Sequence, residues 1–366
     1  MDGMLRVLWL NWRDIEHPEA GGAEVFTHEV MRRLVKRGYH ITLFTERFPN
    51  SLEAKYLDGV RIVRQGSRYT VYSKARNHYK EYMSNYDIIV DEINGRPFLT
   101  PKFVKSKPIL ALSHHISLES WTYEVPFPLN YIGYYFFQTR GLSCYKTIPT
   151  VTVSKSSKRN LEKRFGFKKV FVVPEGLGIK PLDDMHQKEW APTVIFLGRL
   201  KKNKLPHHAI QAFNIIKKYI ANVKMWVLGD GYMLKDLEKM SGKDVTFFGH
   251  VKEDVKYKLL SKAHLTLVPG VHEGWGLAVT ESNAMGTPAI AYDVPGLRDS
   301  VRDGETGILV KGNSPSSLAQ ASISLLKDKK LLSKYSTNAL AFSKQFSWDN
   351  TANEFDKIIK ATIKIV

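Results

Sequence analysis

Short apolar runs alternate with amphipathic helical stretches from one end of the chain to the other, and this alternation limits the fold more than any other property. In the first half, residues 6–12, 40–45, 60–64, 86–90, 108–113, 150–154 and 170–173 read as strands. A second series follows at 193–197, 223–228, 245–248, 265–268, 288–292 and 308–310. Helical patterns lie between them, for example the one that follows Gly21-Gly22-Ala23-Glu24 and runs to Lys36, where Phe26, Val30 and Leu34 share a face and Gly38 is the stop. Strands that are apolar throughout, each followed by a helix, predict an α/β chain with parallel sheets covered on both faces, in both halves. The run Pro174-Glu175-Gly176-Leu177-Gly178, then Pro181 and a polar stretch to Pro192, reads as the junction between two domains.

The formal net charge of +18 calls for an anionic partner: a nucleotide substrate, an acidic membrane surface or nucleic acid. Lysine and arginine are spread along the chain without zinc-finger spacing, an RNA-binding aromatic signature or a long basic tail, so no specific nucleic acid is expected. The single cysteine, Cys144, excludes an internal disulfide framework and fits a cytoplasmic setting. No run approaches the roughly 20 apolar residues needed to cross a bilayer. The start becomes apolar too briefly for a secretory signal and is expected to be the first strand.

The chemistry-bearing residues fall at the ends of predicted strands. The stretch from His272 to Gly286, H-E-G-W-G-L-A-V-T-E-S-N-A-M-G, follows a buried strand and a Pro269-Gly270 turn. Gly274 and Gly276 let the backbone approach a ligand, and Leu277 opens a helix whose free N–H groups and dipole favour an anion. Glu273 in the loop and Glu281 about two turns along suit a ligand bearing hydroxyl pairs. A plainer account has Glu273 capping the helix and Glu281 facing solvent. Gly21-Gly22 offers a second helix start with bare amides, or simply a tight turn. His114-His115 stands at a strand's carboxyl end, the edge where open α/β sheets bind ligands. Arg199 and Lys204, in the run after the 193–197 strand, can neutralise a diphosphate, and Gly229-Asp230-Gly231 is a further close-approach turn.

Taken together, these residues resemble the retaining glycosyltransferases of family 4, which have the GT-B fold of two facing Rossmann-like domains. The most specific part is Glu273, seven intervening residues, then Glu281. It is joined by Gly21-Gly22, G-R-L-x-x-x-K at 198–204, Gly229-Asp230-Gly231, F-G-H-V at 248–251 and P-G-L-R-D-S-V-R-D-G-E-T-G-I-L-V at 295–310. The resemblance implies an acceptor domain at 1–178 joined by a returning carboxyl-terminal helix at 349–366, a linker at 179–191 and a donor domain at 192–348. It also implies that Arg199 and Lys204 hold the donor diphosphate, helped by amides at Gly22 and around Gly276. Glu281 then binds the ribose, and Glu273 with the Trp275 and Gly276 amides holds the sugar. His114 contacts the sugar near the reacting carbon, with His115 as the neighbouring candidate; Gly21, Gly229, Gly274 and Leu277 complete the donor set. Pro174-Glu175-Gly176 departs from the Pro-Asn-Gly often found in the family, and Trp275 stands in place of the commoner Phe.

The implied activity is transfer of a hexose, with retention, from a nucleotide sugar to a glycan or polyprenyl-linked glycan acceptor. No Asp-x-Asp pair exists in the chain, so neither a metal nor another cofactor is expected; cations and helix starts stabilise the leaving diphosphate instead. The basic stretch 155–169, with Leu161, Phe165 and Phe167, fits peripheral contact with an anionic membrane or an ordinary surface helix. The aromatic run 129–137 is expected in the first domain's core rather than at an acceptor entrance. A nucleotide-sugar epimerase or other enzyme on the same architecture is the alternative, and a non-enzymatic nucleic-acid binder is the second; the latter predicts a steep salt dependence and no sugar transfer.

Overall fold

The computed structural model describes residues 4–114, 123, 127–133, 135 and 139–364. They form two compact units: the described parts of 1–116, 127–176 and 347–366 make one, and Leu177–Phe346 forms the body of the other.

The first unit holds an eight-stranded sheet: β1 (Arg6–Leu10), β2 (His40–Thr45), β3 (Ala54–Leu57), β4 (Val60–Arg64), β5 (Ile88–Glu92), β6 (Ile109–Ser113), β7 (Thr150–Thr152) and β8 (Val170–Val172). Their order is β3-β4-β2-β1-β5-β6-β7-β8, and every pairing is parallel except β3 with β4. Val7, Leu8, Trp9 and Leu10 of β1 are fully buried, as a strand covered on both faces requires. The hairpin β3–β4 was not expected, although its turn is Asp58-Gly59 with φ positive at both residues, the geometry that favours this dipeptide between two strands.

The carboxyl-terminal helix Trp348–Lys364 belongs to this first unit. It buries Trp348, Thr351, Ala352, Phe355 and Ile359, a helical stripe, and Phe355 stacks on Trp9 at 5.1 Å. Gly176 permits the docking: a Cβ there would lie 2.4 Å from the Trp348 nitrogen.

The second unit holds β9 (Thr193–Leu197), β10 (Lys224–Leu228), β11 (Val245–Gly249), β12 (Leu265–Val268), β13 (Ala289–Tyr292) and β14 (Gly307–Val310), all parallel, in the order β11-β10-β9-β12-β13-β14. This is the doubly wound Rossmann order, and its direction reverses between β9 and β12, where such sheets open a crevice at their carboxyl ends. Leu177, Ile179 and Leu182 pack with Ile195, Leu228 and Met285, so the start of the junction stretch is fixed to this second unit.

Two further expectations meet the packing. In the helix Lys155–Phe165, Leu161 and Phe165, with Phe167 just beyond, are buried against Ala111, Leu142 and Tyr145. The apolar residues offered to a membrane are therefore spent on the sheet, and that helix presents only its charged side. The aromatic run fares differently from the core expected of it, which is corrected at its described members. Leu129, Tyr131 and Tyr135 are exposed, because the short helix Leu129–Gly133 turns Asn130 inward instead; the side chains at 132–134, 136 and 137 lie outside the described residues. Among the described residues, no helix is long and apolar enough to cross a membrane.

Candidate active site

In the second unit, two loops leave the strands that flank the reversal point, and each is shaped by glycines. After β9, Gly198 lies against the β10 loop: a Cβ on Gly229 would sit 2.1 Å from the Gly198 carbonyl, and one on Gly231 would sit 2.4 Å from that of Leu200. Hydrogen bonds from Leu200 N–H to the Asp230 carbonyl (2.8 Å) and from Met233 N–H to the Leu200 carbonyl (3.1 Å) join the two loops. Arg199, between these contacts, is exposed, and its side chain pairs with no described residue. Lys204 follows in a single 3-10 turn, Lys202–Lys204.

After β12, the loop carrying Glu273 is held from both sides. Val271 N–H donates to the Asn203 carbonyl (3.1 Å), and Glu273 N–H donates to the Pro295 carbonyl (3.2 Å). These ties bring the two loops together, so that Lys204 Nζ lies 2.6 Å from both carboxylate oxygens of Glu273, with the side chains only 24% and 15% exposed. Sequence reasoning gave Lys204 to the diphosphate and Glu273 to the sugar; the structure makes them direct partners.

Gly296 and Gly270 are part of this arrangement, though neither was singled out for it. Gly296 has φ +84, and a Cβ there would lie 2.1 Å from the Glu273 carbonyl. We expect Gly296→Ala to lose about 1–3 kcal/mol of stability in chemical denaturation, from the strained φ and the clash, and to lower turnover as the Glu273 loop moves. Gly242→Ala, where a Cβ meets nothing within 4 Å, is the control and should leave the loop's function unchanged.

The chain then passes through Gly274 and Trp275 to Gly276, which caps the helix Leu277–Ala284 with φ +101. The Trp275 indole is buried and packs edge-on against Phe346 at 5.2 Å, so this larger ring serves the unit's core. The N–H groups of Trp275, Gly276 and Leu277 make no hydrogen bond to a described residue, which leaves three consecutive donors at a helix start. Glu281, one turn into the helix, is held by Lys256 Nζ at 2.7 Å and lies 3.4 Å from the Tyr257 hydroxyl. Burial and then the Glu281 charge raise the Tyr257 phenol above its ordinary range, so it stays protonated and donates. Lys256 and Tyr257 were missed, since nothing in their sequence neighbourhood points to a helix 25 residues further on.

In the first unit, β1 and β5 flank the corresponding reversal. Gly21 precedes the helix Gly22–Val35, and its N–H donates to the Glu24 carboxylate at 2.7 Å. Arg13 (3.1 Å) and Asn94 (2.9 Å) hold that carboxylate in turn. The Gly21 amide is thus already engaged by an anion of the chain itself, whereas the Gly22 N–H donates to no described residue.

His114 follows β6 and is almost fully buried, edge-on to Phe26 at 5.0 Å. Its Nε2 lies 3.4 Å from Glu92 and its Nδ1 lies 3.6 Å from Glu175, both buried carboxylates. Glu92 also accepts from Trp9 Nε1 (3.0 Å) and Thr27 Oγ1 (2.6 Å), which fixes it between strand and helix. Burial alone would push the His114 imidazole down, but Glu175 and Glu92 outweigh it and raise it to about 9. His115 lies outside the described residues. Glu175 was recognised only as a departure in a junction motif, and its contact with His114 carried no sequence signal. Among the described residues, no group of three or more His, Cys, Asp or Glu side chains is placed to hold a metal ion.

A family model described as "Glycosyltransferase Family 4" matches residues 20–179, and one described as "Glycosyl transferases group 1" matches residues 184–342, so that together they span most of the chain. The chain belongs to the family 4 glycosyltransferases. Among curated relatives, an uncharacterized glycosyltransferase of Methanocaldococcus jannaschii is 27% identical over 62% of this chain and 63% of its own length. A second from the same organism is 25% identical over 94% of this chain and 96% of that protein. A D-inositol 3-phosphate glycosyltransferase of Nocardia farcinica is 32% identical over 44% of this chain and 38% of its own. The chain thus spans less than two thirds of the first and last of these. Among solved structures, a sucrose-phosphate synthase from Thermosynechococcus elongatus superposes with a TM-score of 0.81 at 20% identity, covering 99% of this chain and 100% of that one. An Anabaena protein, HepE, crystallised with UDP-glucose, gives 0.75 at 17% identity, covering 98% and 100%. These likenesses show the family 4 fold, GT-B with two parallel-sheet Rossmann-like domains.

Proposed function

We propose that this family 4 chain is a retaining, metal-independent glycosyltransferase that moves a hexose from a nucleotide-diphosphate sugar to a glycan or polyprenyl-linked glycan acceptor in the cytoplasm. The observation that carries the reading is the convergence at one reversal point of an unpaired guanidinium, a Lys–carboxylate pair and three free amides.

Each part has a task in that reaction. Arg199, free of any acidic partner among the described residues, and Lys204 bind the diphosphate, and the Gly276 and Leu277 amides add directed donors. As the nucleoside diphosphate departs, negative charge grows on its terminal oxygens, and these fixed donors stabilise it in the transition state. Glu273 accepts from sugar hydroxyls with the oxygens that Lys204 now holds, while Glu281, oriented by Lys256 and Tyr257, accepts from the ribose. By the family resemblance His114 meets the sugar, and its charge favours the same leaving step. Gly22, Gly229 and Gly274 leave the backbone open to the ligand. That HepE was crystallised with UDP-glucose supports a uridine or related donor class for this chain.

A panel of UDP-, GDP- and ADP-sugars followed by thermal shift tests the reading, because a ligand specific for the folded chain raises its melting temperature by mass action. One donor class should give a shift of several degrees that disappears in Arg199→Ala. No shift with any nucleotide sugar, or an undiminished shift in Arg199→Ala, overturns the donor assignment.

A further inference from the structure

The second unit has a second cluster of donors at the opposite edge of its sheet. His264 immediately precedes β12 and bonds the first residue of β9, and Thr287 lies just before β13, so this cluster borders the amino-terminal ends of the strands, whereas the donor loops leave the carboxyl-terminal ends. A cavity of about 170 Å³ opens there, lined by Lys188, His264, Lys329, Ser333 and Ser336. Met185 and Leu332 form its apolar walls. Residues 329, 332, 333 and 336 follow the spacing of one face of the helix Lys329–Ser343. The space is roughly six waters' share of volume, enough for a tetrahedral oxyanion.

Its polar lining carries hydrogen-bond donors and no carboxylate. Lys188 Nζ lies 2.8 Å from Thr287 Oγ1, whose own proton is directed at the Leu260 carbonyl (2.6 Å). Neither Lys188 nor Lys329 forms an ion pair with a described residue. The acids next to them in sequence are engaged elsewhere: Glu189 with Lys262 at 3.1 Å, and Asp328 capping its helix through Leu331 N–H at 2.9 Å. His264 Nδ1 accepts from Thr193 N–H at 3.1 Å, which places the proton of the neutral ring on Nε2. Burial lowers Lys188 to about 7; burial followed by the Lys188 charge, partly offset by the Glu189 carboxylate, lowers His264 to about 4. A mostly buried amine without a counter-charge is costly unless something supplies one.

We propose that this cavity binds a phosphate-class oxyanion, with Lys188 and Lys329 supplying charge and His264 Nε2–H, Ser333 and Ser336 supplying directed hydrogen bonds. The site is separate from the donor loops and does not rest on the transferase reading. Bound phosphate draws Lys188 toward its charged form, so binding at pH 7.5 takes up part of a proton at the amine, more than the phosphate releases as its dianion is selected.

The test is calorimetry of inorganic phosphate added to the full chain, with ionic strength held constant by chloride, in two buffers of different ionisation enthalpy. Saturable binding with proton uptake is expected, and it should persist in Arg199→Ala, which separates it from the donor site. Lys188→Met and Lys329→Gln should each weaken it about tenfold, the effect of losing one charge-assisted hydrogen bond. Lys188→Met also removes an uncompensated buried amine, so its melting temperature should not fall; Lys329 is exposed, and its variant tests the site without a folding cost. The same chemistry is carried by the free anion in solution and by a lipid headgroup. Sedimentation with phosphatidylcholine vesicles, with and without phosphatidic acid, distinguishes these: Lys188-dependent binding of inorganic phosphate assigns the free anion, and Lys188-dependent binding only to phosphatidic acid vesicles assigns the headgroup. Binding of neither probe, or binding unaffected by both lysine substitutions, overturns the proposal.

Discussion

Lys204→Ala and Glu273→Gln should each lower sugar transfer by about 10²–10³-fold, the loss that follows removal of one preorganised partner of transition-state charge. The two side chains are in contact through both carboxylate oxygens at 2.6 Å, so their losses should not add. Removing the lysine leaves a partly buried carboxylate without its counter-charge beside the proposed diphosphate position, and repulsion there should weaken donor binding as well as turnover. Removing the carboxylate's charge instead frees the ammonium, so Glu273→Gln should bind the nucleoside diphosphate itself at least as well as the unaltered chain while transferring poorly. Measuring nucleotide affinity and turnover for both single variants and the double variant gives the coupling. Full additivity, or nucleotide affinity reduced equally in both, would show that the contact has no part in donor recognition.

Except for β3, which is half exposed and no apolar run, the strands were readable because most are short, largely apolar runs, and strands buried on both faces leave that trace. The loops at their carboxyl ends were readable for a related reason: close backbone approach needs glycine, as at Gly229 against Gly198. What escaped was pairing between elements distant in sequence. That Lys256 and Tyr257 hold Glu281, or that Asn94 holds Glu24, depends on which element packs on which and on which oxygen is nearest, and charge patterns along one segment do not encode either. The aromatic run 129–137 misled because composition reports the tendency to bury, not the direction in which a short helix faces; Tyr131 and Tyr135 are exposed. Gly296 was read as part of a family segment, and only its position against the Glu273 carbonyl assigns it to the loop.

Glu175→Gln should change the pH dependence of this chain through His114. His114 rises from an ordinary 6.5 to about 9 because two buried carboxylates, Glu175 and Glu92, outweigh the burial that would lower it. A folded-state value above the unfolded one means that the folded chain binds the extra proton. The resulting stability, on the order of 3 kcal/mol, is complete below about pH 6.5 and is lost as pH rises through about 9. Lys188 works in the opposite direction over part of the same range, since a lysine lowered to about 7 gains stability as pH rises from there toward its unfolded value. The comparison must therefore be made between variants: the difference in unfolding free energy between the unaltered chain and Glu175→Gln should be largest near pH 6.5 and shrink toward pH 10, with Lys188 cancelling between them. If His114 acts on the sugar as a cation, the alkaline limb of the turnover profile should also move to lower pH by about one unit or more in Glu175→Gln. A stability difference that shrinks as described, with an unmoved turnover profile, would confine the carboxylate pair to holding the fold. A difference independent of pH would mean that His114 is neutral in the folded chain, and that the glutamate standing where the family often has asparagine does not charge it.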